Sequence, residues 1–345
     1  MAEAKKIVQE LFKPNPVLYW VDFLTSDLLG WVAFVTAVRA PFLSLVQVLA
    51  WMVTGLSLYR AILFVHELAH LKKGTFKLFH AVWNLLCGIP LMIPSFIYIR
   101  VHTDHHKHKV YGTRFDPEYF PFALAKPYRI PLFPLTMFLA PLFFLIRFLV
   151  LAPLSYLIWS MRKPLWVLGS SLAVGGDYRR PLPQGREKWE GMVQEFLAFL
   201  FVTGIFTLMT RGILPWRTLL IWYGMAVTVL ILNALRSLVA HCDRNPPDHI
   251  MSFDEQFLDS TNIPGNQVLT PLWAPVGLRY HATHHLFSGM PYHHLAEAHR
   301  RLMKELPAGN PYPLSIRKGL LSALTLLWEE SRRNNQKGTR QKTVA

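Results

Sequence analysis

Eight of the 15 histidines fall inside three five-residue windows, 66–70, 102–106 and 281–285, where an even spread would place about one. The windows read His66-Glu67-Leu68-Ala69-His70, His102-Thr103-Asp104-His105-His106 and His281-Ala282-Thr283-His284-His285. Long apolar stretches lie between them. If the three windows serve one site, every apolar stretch must return the chain to the same side. That requirement excludes most ways of folding a chain of this kind.

The apolar stretches are long enough for the side to be that of a membrane. Residues 42–65 run for 24 positions with one charge, Arg60, and a spanning helix needs about 20. Hydrophobic residues make up 52% of the chain and charged residues 17%, against about 25% charged in soluble domains. Composition therefore predicts an integral, multi-pass, all-α membrane protein. Residues 28–65 read as one hairpin, interrupted at Arg39 and Pro41. Residues 196–210 and 218–235 read as a second, turning through Arg211 to Arg217. Residues 81–99 carry no charge, but Pro90 and Pro94 break the run. A single crossing there would also separate the first two windows, so the segment must dip in and return or lie at the interface. Residues 130–161, with Pro131, Pro134, Pro141, Arg147 and Pro153, read as a re-entrant or in-plane helix pair. The expected architecture is about four transmembrane helices in two hairpins, with re-entrant or interfacial helices and a histidine-rich cap. It forms a single membrane domain over 1–345: a polar lead at 1–27, a histidine-bearing region at 28–300, and a basic tail at 301–345.

The net charge is +15. The basic residues lie between apolar runs, which suits a cytosolic cap under the positive-inside bias. Arg332, Arg333, Lys337, Arg340 and Lys342 end the chain without an acid, which predicts a disordered tail that touches lipid headgroups. No nucleic-acid motif accompanies this charge. Cys87 and Cys242 make no disulfide framework.

Imidazole is a ligand for iron, zinc, copper and nickel and can be neutral near physiological pH. His66 and His70 share a helix face. Each H-x-x-H-H window also pairs two rings on one face and splays the third by about 100°. Eight imidazoles exceed what one tetrahedral zinc needs, so two neighbouring metal ions fit the count better. His241, after the last apolar run, is a ninth candidate.

The three ordered windows, HELAH, HTDHH and HATHH, resemble the histidine boxes of the membrane fatty acid desaturase and hydroxylase superfamily. So do the continuations HTDHHKHKVYGTRFDPE and HATHHLFSGMPYHHL. The resemblance covers about residues 40–300 and makes 28–300 a desaturase-like region. It implies two iron ions held by His66, His70, His102, His105, His106, His281, His284 and His285, with His241 as the family's additional histidine. It implies dioxygen as co-substrate and attack on an unactivated C–H bond of a lipid acyl chain drawn from the bilayer. Desaturation is the first expectation. Hydroxylation or keto-group formation on an acyl, sphingoid or carotenoid chain is the alternative. The His-Pro-Gly-Gly sequence of fused haem donors does not occur here, so electrons are expected from a separate ferredoxin or cytochrome.

HELAH is also the HExxH motif of zinc proteases. In that reading Glu67 is the general base and the second and third windows have no role. In the di-iron reading no residue beyond the ligands is catalytic. Glu67 then orients a ligand ring, offsets metal charge or simply faces the helix. Asp104 bonds a ligand ring or is solvated. Asp116 caps a turn before Pro117 or orients the second window. His80, His108, His249, His293, His294 and His299 are given no ligand role.

Overall fold

The computed structural model describes residues 2–72 and 74–344, with side chains except those of residue 2 and of 338–344. Among the described residues the chain is helical, and only isolated bridges, such as His241 with Ser260, link extended segments. Five helical stretches are long and apolar enough to cross a membrane: Pro16–Arg39, Leu45–His70, Arg129–Leu157, Gly185–Thr210 and Arg217–Ser237.

The first of these stretches opens at Pro16, not near Leu28, so residues 16–27 form one helix with 28–39 within a candidate span. Asn15 caps it by accepting from the Val17 N–H at 3.0 Å, and Pro16 occupies the first helical position, where its missing N–H costs nothing. Asp22 and Asp27 make this stretch look solvated in the sequence. In the fold Asp22 pairs with Arg60 of the returning helix, and Trp31 donates to Asp27 at 3.2 Å. The two arms of the hairpin pack closely: a Cβ at Gly30 would lie 2.6 Å from the Leu58 side chain. Gln47 closes the turn, donating to the Ala37 carbonyl at 3.0 Å and accepting from the Leu43 N–H at 2.8 Å.

Residues 77–105 run in and reverse, the first of the two courses the sequence allows. The Lys77–Trp83 helix runs into a π turn at Asn84–Gly88, the chain reverses through Pro90 and Pro94, and Phe96–His105 carries it back. Indole N–H groups fasten this segment to two spans, Trp83 to the Ala61 carbonyl at 2.9 Å and Trp222 to the Pro90 carbonyl at 3.0 Å. At its turning point Gln194 Oε1 accepts from the Phe96 N–H at 2.9 Å and from Ser95 Oγ at 3.2 Å. Gln194→Leu strands these donors in an apolar surround, and an unmade buried bond costs about 1–3 kcal/mol. The expected result is a lower unfolding temperature in detergent and loss of cap-bound metal before the spans melt.

The proline-rich 129–157 segment is one broken helical run and counts as a fifth candidate span, one more than expected. Pro141 and Pro153 sit in the first turns of their helices, where proline is tolerated. Arg147 is paired within the protein, with Glu195 at 2.6 Å and Ser170 at 2.8 Å. The basic tail is also not disordered as expected. Leu320–Val344 is a helix, and it docks through Ser331 to the Ala125 carbonyl at 2.6 Å and Asn334 to the Ala123 carbonyl at 2.9 Å. Arg332, Arg333 and Lys337 remain exposed on it, whereas the side chains of Arg340 and Lys342 lie outside the described residues.

Candidate metal centre

Four segments deliver imidazoles to one place. His66 and His70 end the Leu45–His70 stretch. His102, His105 and His106 end the returning helix of the dip. His281, His284 and His285 lie on the short His281–Leu286 helix. His241 follows Arg217–Ser237 and is fixed by its bridge to Ser260. All nine histidines anticipated from the sequence converge. His66, His70, His102 and His284 form one group and His105, His241, His281 and His285 a second, with the ligand atoms of each group within 4.8 Å of one another. His106 lies between the groups, its ring 4.5 Å from His70 and 4.4 Å from His285.

The donor chemistry fits metal cations. Ring nitrogens approach one another at 2.8 Å for His70 and His102, 3.1 Å for His241 and His281, and 3.0 Å for His281 and His285. Both nitrogens of His66 and Nε2 of His105 are buried without a hydrogen-bond partner. Buried polar atoms left unpaired are costly, and cations shared among them would remove that cost. Burial holds His102, His106, His241, His281, His284 and His285 below the ordinary imidazole pKa, reinforced by neighbouring imidazoles. They are therefore neutral and able to donate a lone pair. His105 goes the other way. Burial disfavours its charged form, but the adjacent Asp116 carboxylate raises its pKa.

The far sides of three rings are held. His105 Nδ1 lies 2.9 Å from both Asp116 oxygens, His102 Nδ1 lies 2.9 Å from Glu118, and His241 Nδ1 lies 2.8 Å from the Tyr111 hydroxyl. Tyr111 is in turn 3.2 Å from Asp259. With Nδ1–H donating outward, Nε2 is free to face a metal, the arrangement that fixes tautomer and ring orientation in metal sites. Asp116 also accepts from the Gly112 N–H at 2.7 Å and the Glu118 N–H at 2.9 Å. It thus caps its turn and orients the second window at once. The chain at Gly175 lies against it so closely that a Cβ there would sit 2.5 Å from the Asp116 carbonyl oxygen.

Asp104 does neither of the things expected of it. It is buried, bonds no ligand ring, and instead joins Arg100, Lys107 and Tyr178, the last at 2.8 Å. It thereby fastens the polar 170–184 connection to the second window. Glu67 accepts from Tyr19 at 2.5 Å and from the Tyr292 N–H at 3.0 Å, while its other oxygen is 3.8 Å from His66 Nδ1. It ties the first span to the chain after the third window and makes no hydrogen bond to a ligand ring. Both donors meet the same oxygen, Oε2, so Glu67→Gln can present its single carbonyl oxygen to both. Glu67→Gln is expected to retain most activity and Glu67→Ala to lose it with the docking of Tyr292. A protease base would fail on either change, and product assays on the two variants decide between these roles.

The remaining histidines stay outside the two groups. His80 bonds Ser95, His249 faces Glu255, His293 accepts from the Asn15 N–H and His299 bonds Tyr312. His108 packs on Phe253 and His294 on His293. Glu118, Tyr111 and Asp259 were not singled out from the sequence. The first two follow the second window closely, but nothing in the sequence marks Asp259.

A family profile described as fatty acid desaturase matches residues 42–315. A ceramide hydroxylase of Caulobacter vibrioides (strain NA1000 / CB15N) is 37% identical over 340 residues, covering 98% of this chain and 96% of the relative. No solved structure matches.

Proposed function

Since the chain belongs to the fatty acid desaturase family and is a membrane oxidoreductase, we propose that it hydroxylates the hydrocarbon portion of an N-acyl sphingoid lipid, with two irons and dioxygen. The sequence alone placed desaturation first. The named relative, similar over nearly its whole length, favours the hydroxylase alternative, while the description of the family profile keeps acyl desaturation as a second reading. In the hydroxylase reading one C–H bond becomes C–OH: the lipid, dioxygen, two electrons and two protons yield the hydroxylated lipid and water. The electrons come from a separate ferredoxin or cytochrome, and the basic cap suits an acidic carrier.

The observation that carries this reading is the convergence of eight imidazoles into two groups of metal-ligating spacing, with His106 between them, beside the ends of candidate membrane spans. Iron bound there supplies dioxygen activation. The polypeptide supplies the rest. His66, His70, His102 and His284 would hold one ion, and His105, His241, His281 and His285 the other, with His106 between the two groups. Asp116, Glu118 and Tyr111 keep the rings oriented. Burial of the ligands keeps water out, and the membrane helices admit the lipid from the bilayer. The cap faces the cytosol, in line with the excess of basic residues between spans.

The test is mass spectrometry of total lipids from a host with and without the gene, in air and at low oxygen, with ¹⁸O₂ as label. New N-acyl sphingoid species carrying one labelled oxygen are expected only in air. Species lacking two hydrogens instead would establish desaturation, and an unchanged lipid profile in air would overturn both.

A further inference from the structure

An apolar groove of about 580 Å³ opens where three helices meet. The Arg129–Thr136 helix contributes Ile130 and Leu135, the end of Arg217–Ser237 contributes Ile231 and Leu235, and Leu320–Val344 contributes Leu324 and Trp328. Every side chain lining it is apolar except Thr325. Its volume falls in the range of about 300–1,000 Å³ that accepts a small-molecule ligand. The groove lies at the ends of two candidate spans, one opening at Arg129 and the other closing at Ser237. Trp328 is partly exposed there, as tryptophans at a membrane boundary are.

Leu238, only 2% exposed, separates this groove from a cleft that touches His241. That cleft holds about 20 Å³, room for about one water, and a methylene chain does not pass through it. A lipid on its way to oxidation therefore takes another route. Charge marks the occupant of the groove. Ser331 Oγ and Asn335 Nδ2 both donate to the Ala125 carbonyl, at 2.6 and 2.8 Å. This contact brings Lys126 and Arg129, which precede Ile130, beside Arg332 and Arg333, one turn beyond Trp328. All four cations are exposed, and among the described residues none has a carboxylate oxygen within 4.0 Å. Arg129 is steadied over the Phe120 ring, 5.5 Å from its centre. Of the two acids on this part of the C-terminal helix, Glu330 is committed to Arg244 at 2.8 Å, which leaves Glu329 against four cations.

We propose that the groove binds an anionic glycerophospholipid, one hydrocarbon chain lying in it and the phosphate held by Lys126, Arg129 and Arg332. Headgroup phosphates lie at the ends of spanning helices, and clustered cations there attract them. Each guanidinium can take two phosphate oxygens at once. The cations belong to segments far apart in the chain, so the bound lipid fastens the C-terminal helix to the Arg129–Leu157 stretch. A neutral N-acyl sphingoid lipid would fill the groove but leave the cations unmatched. The site goes beyond the reaction proposed above and serves a hydroxylase or a desaturase alike.

Binding is measured on the full-length chain in detergent micelles by native mass spectrometry. The probes are dioleoyl phosphatidylglycerol and dioleoyl phosphatidylcholine, alike in their chains and unlike in charge. Wild-type protein is expected to retain one phosphatidylglycerol, at least about 10-fold in preference to phosphatidylcholine. Lys126→Gln, Arg129→Gln and Arg332→Gln combined should weaken phosphatidylglycerol binding about 10- to 100-fold and leave phosphatidylcholine unaffected. Thr325→Trp, which fills the groove from an exposed position, should release phosphatidylglycerol although every cation remains. Lys163→Gln with Lys188→Gln, exposed cations that do not line the groove, should bind as the wild type does. Phosphatidylglycerol should also raise the unfolding temperature of the wild type and not of the triple variant. Equal retention of the two lipids by the wild type overturns the site. So does a preference that survives the triple variant, or one that falls as far in the Lys163 and Lys188 variant. Undiminished binding in Thr325→Trp overturns the groove as the seat of the chain. Should the triple variant not fold, Arg129→Gln and Arg332→Gln singly decide: a loss of about fivefold in each supports the site, and unchanged preference in both overturns it.

Discussion

His284→Ala and His281→Ala are each expected to abolish product, by at least about 10³-fold, while iron falls from about two per chain to about one. The two residues lie three apart on one short helix, yet they belong to different imidazole groups. His284 joins His66, His70 and His102, and its Nε2 is 3.3 Å from His106. His281 joins His105, His241 and His285. If the groups hold separate ions that act on one reaction, either loss disables the whole. The double variant should then be no less active than either single one, because residues that work as a unit do not lose activity additively. Stability gives an independent check with an unusual sign. In the metal-free chain these rings are buried polar groups, and Nδ1 of both His281 and His284 has no partner. Removing one such ring removes an unsatisfied group. Metal-free His284→Ala should therefore unfold at the same temperature as the metal-free wild type or higher, and well below the metal-loaded wild type. A variant that keeps both irons and full turnover would sink the two-group assignment.

The histidine windows were legible because metal ligation by a helix is a local pattern. Spacings of three and four residues put rings on one face wherever the helix goes, and the requirement for a common side then ruled out a single crossing at 81–99. His241 was legible for a similar reason, since it follows a span whose end had to lie near the other windows. What could not be read is what depends on distant partners. Tyr111 and Asp259 meet across 148 positions, and neither has a local signature. Asp104 sits inside a histidine window and looked like a ligand's partner, but its bonds go to Tyr178, 74 positions away. Asp22 hid the start of the first span because a carboxylate in an apolar run looks solvated until its partner, Arg60, is seen on the returning helix.

Asp116→Asn is expected to lower iron affinity of the His105 group about 10- to 100-fold, and the reason lies in how fully the carboxylate is used. It is completely buried, and it accepts from three N–H donors: His105 Nδ1 on both oxygens, Gly112 on Oδ2 and Glu118 on Oδ1. An amide offers one accepting oxygen and one donating nitrogen. Whichever way it is turned, one backbone N–H faces another donor, at a cost of about 1–3 kcal/mol, and His105 loses the negative charge that makes its Nε2 a strong ligand. Glu118→Gln tests the same logic with the opposite outcome. Glu118 accepts from His102 through one oxygen, and a glutamine carbonyl can take its place, so the loss should be small. If Asp116 served only its turn before Pro117, Asn would be an adequate substitute and iron binding would not change. Titration of the metal-free variants with ferrous iron separates the two roles. Recovery of Asp116→Asn activity at high iron, with a product profile like the wild type's, would place the defect in holding the ion and not in positioning the lipid.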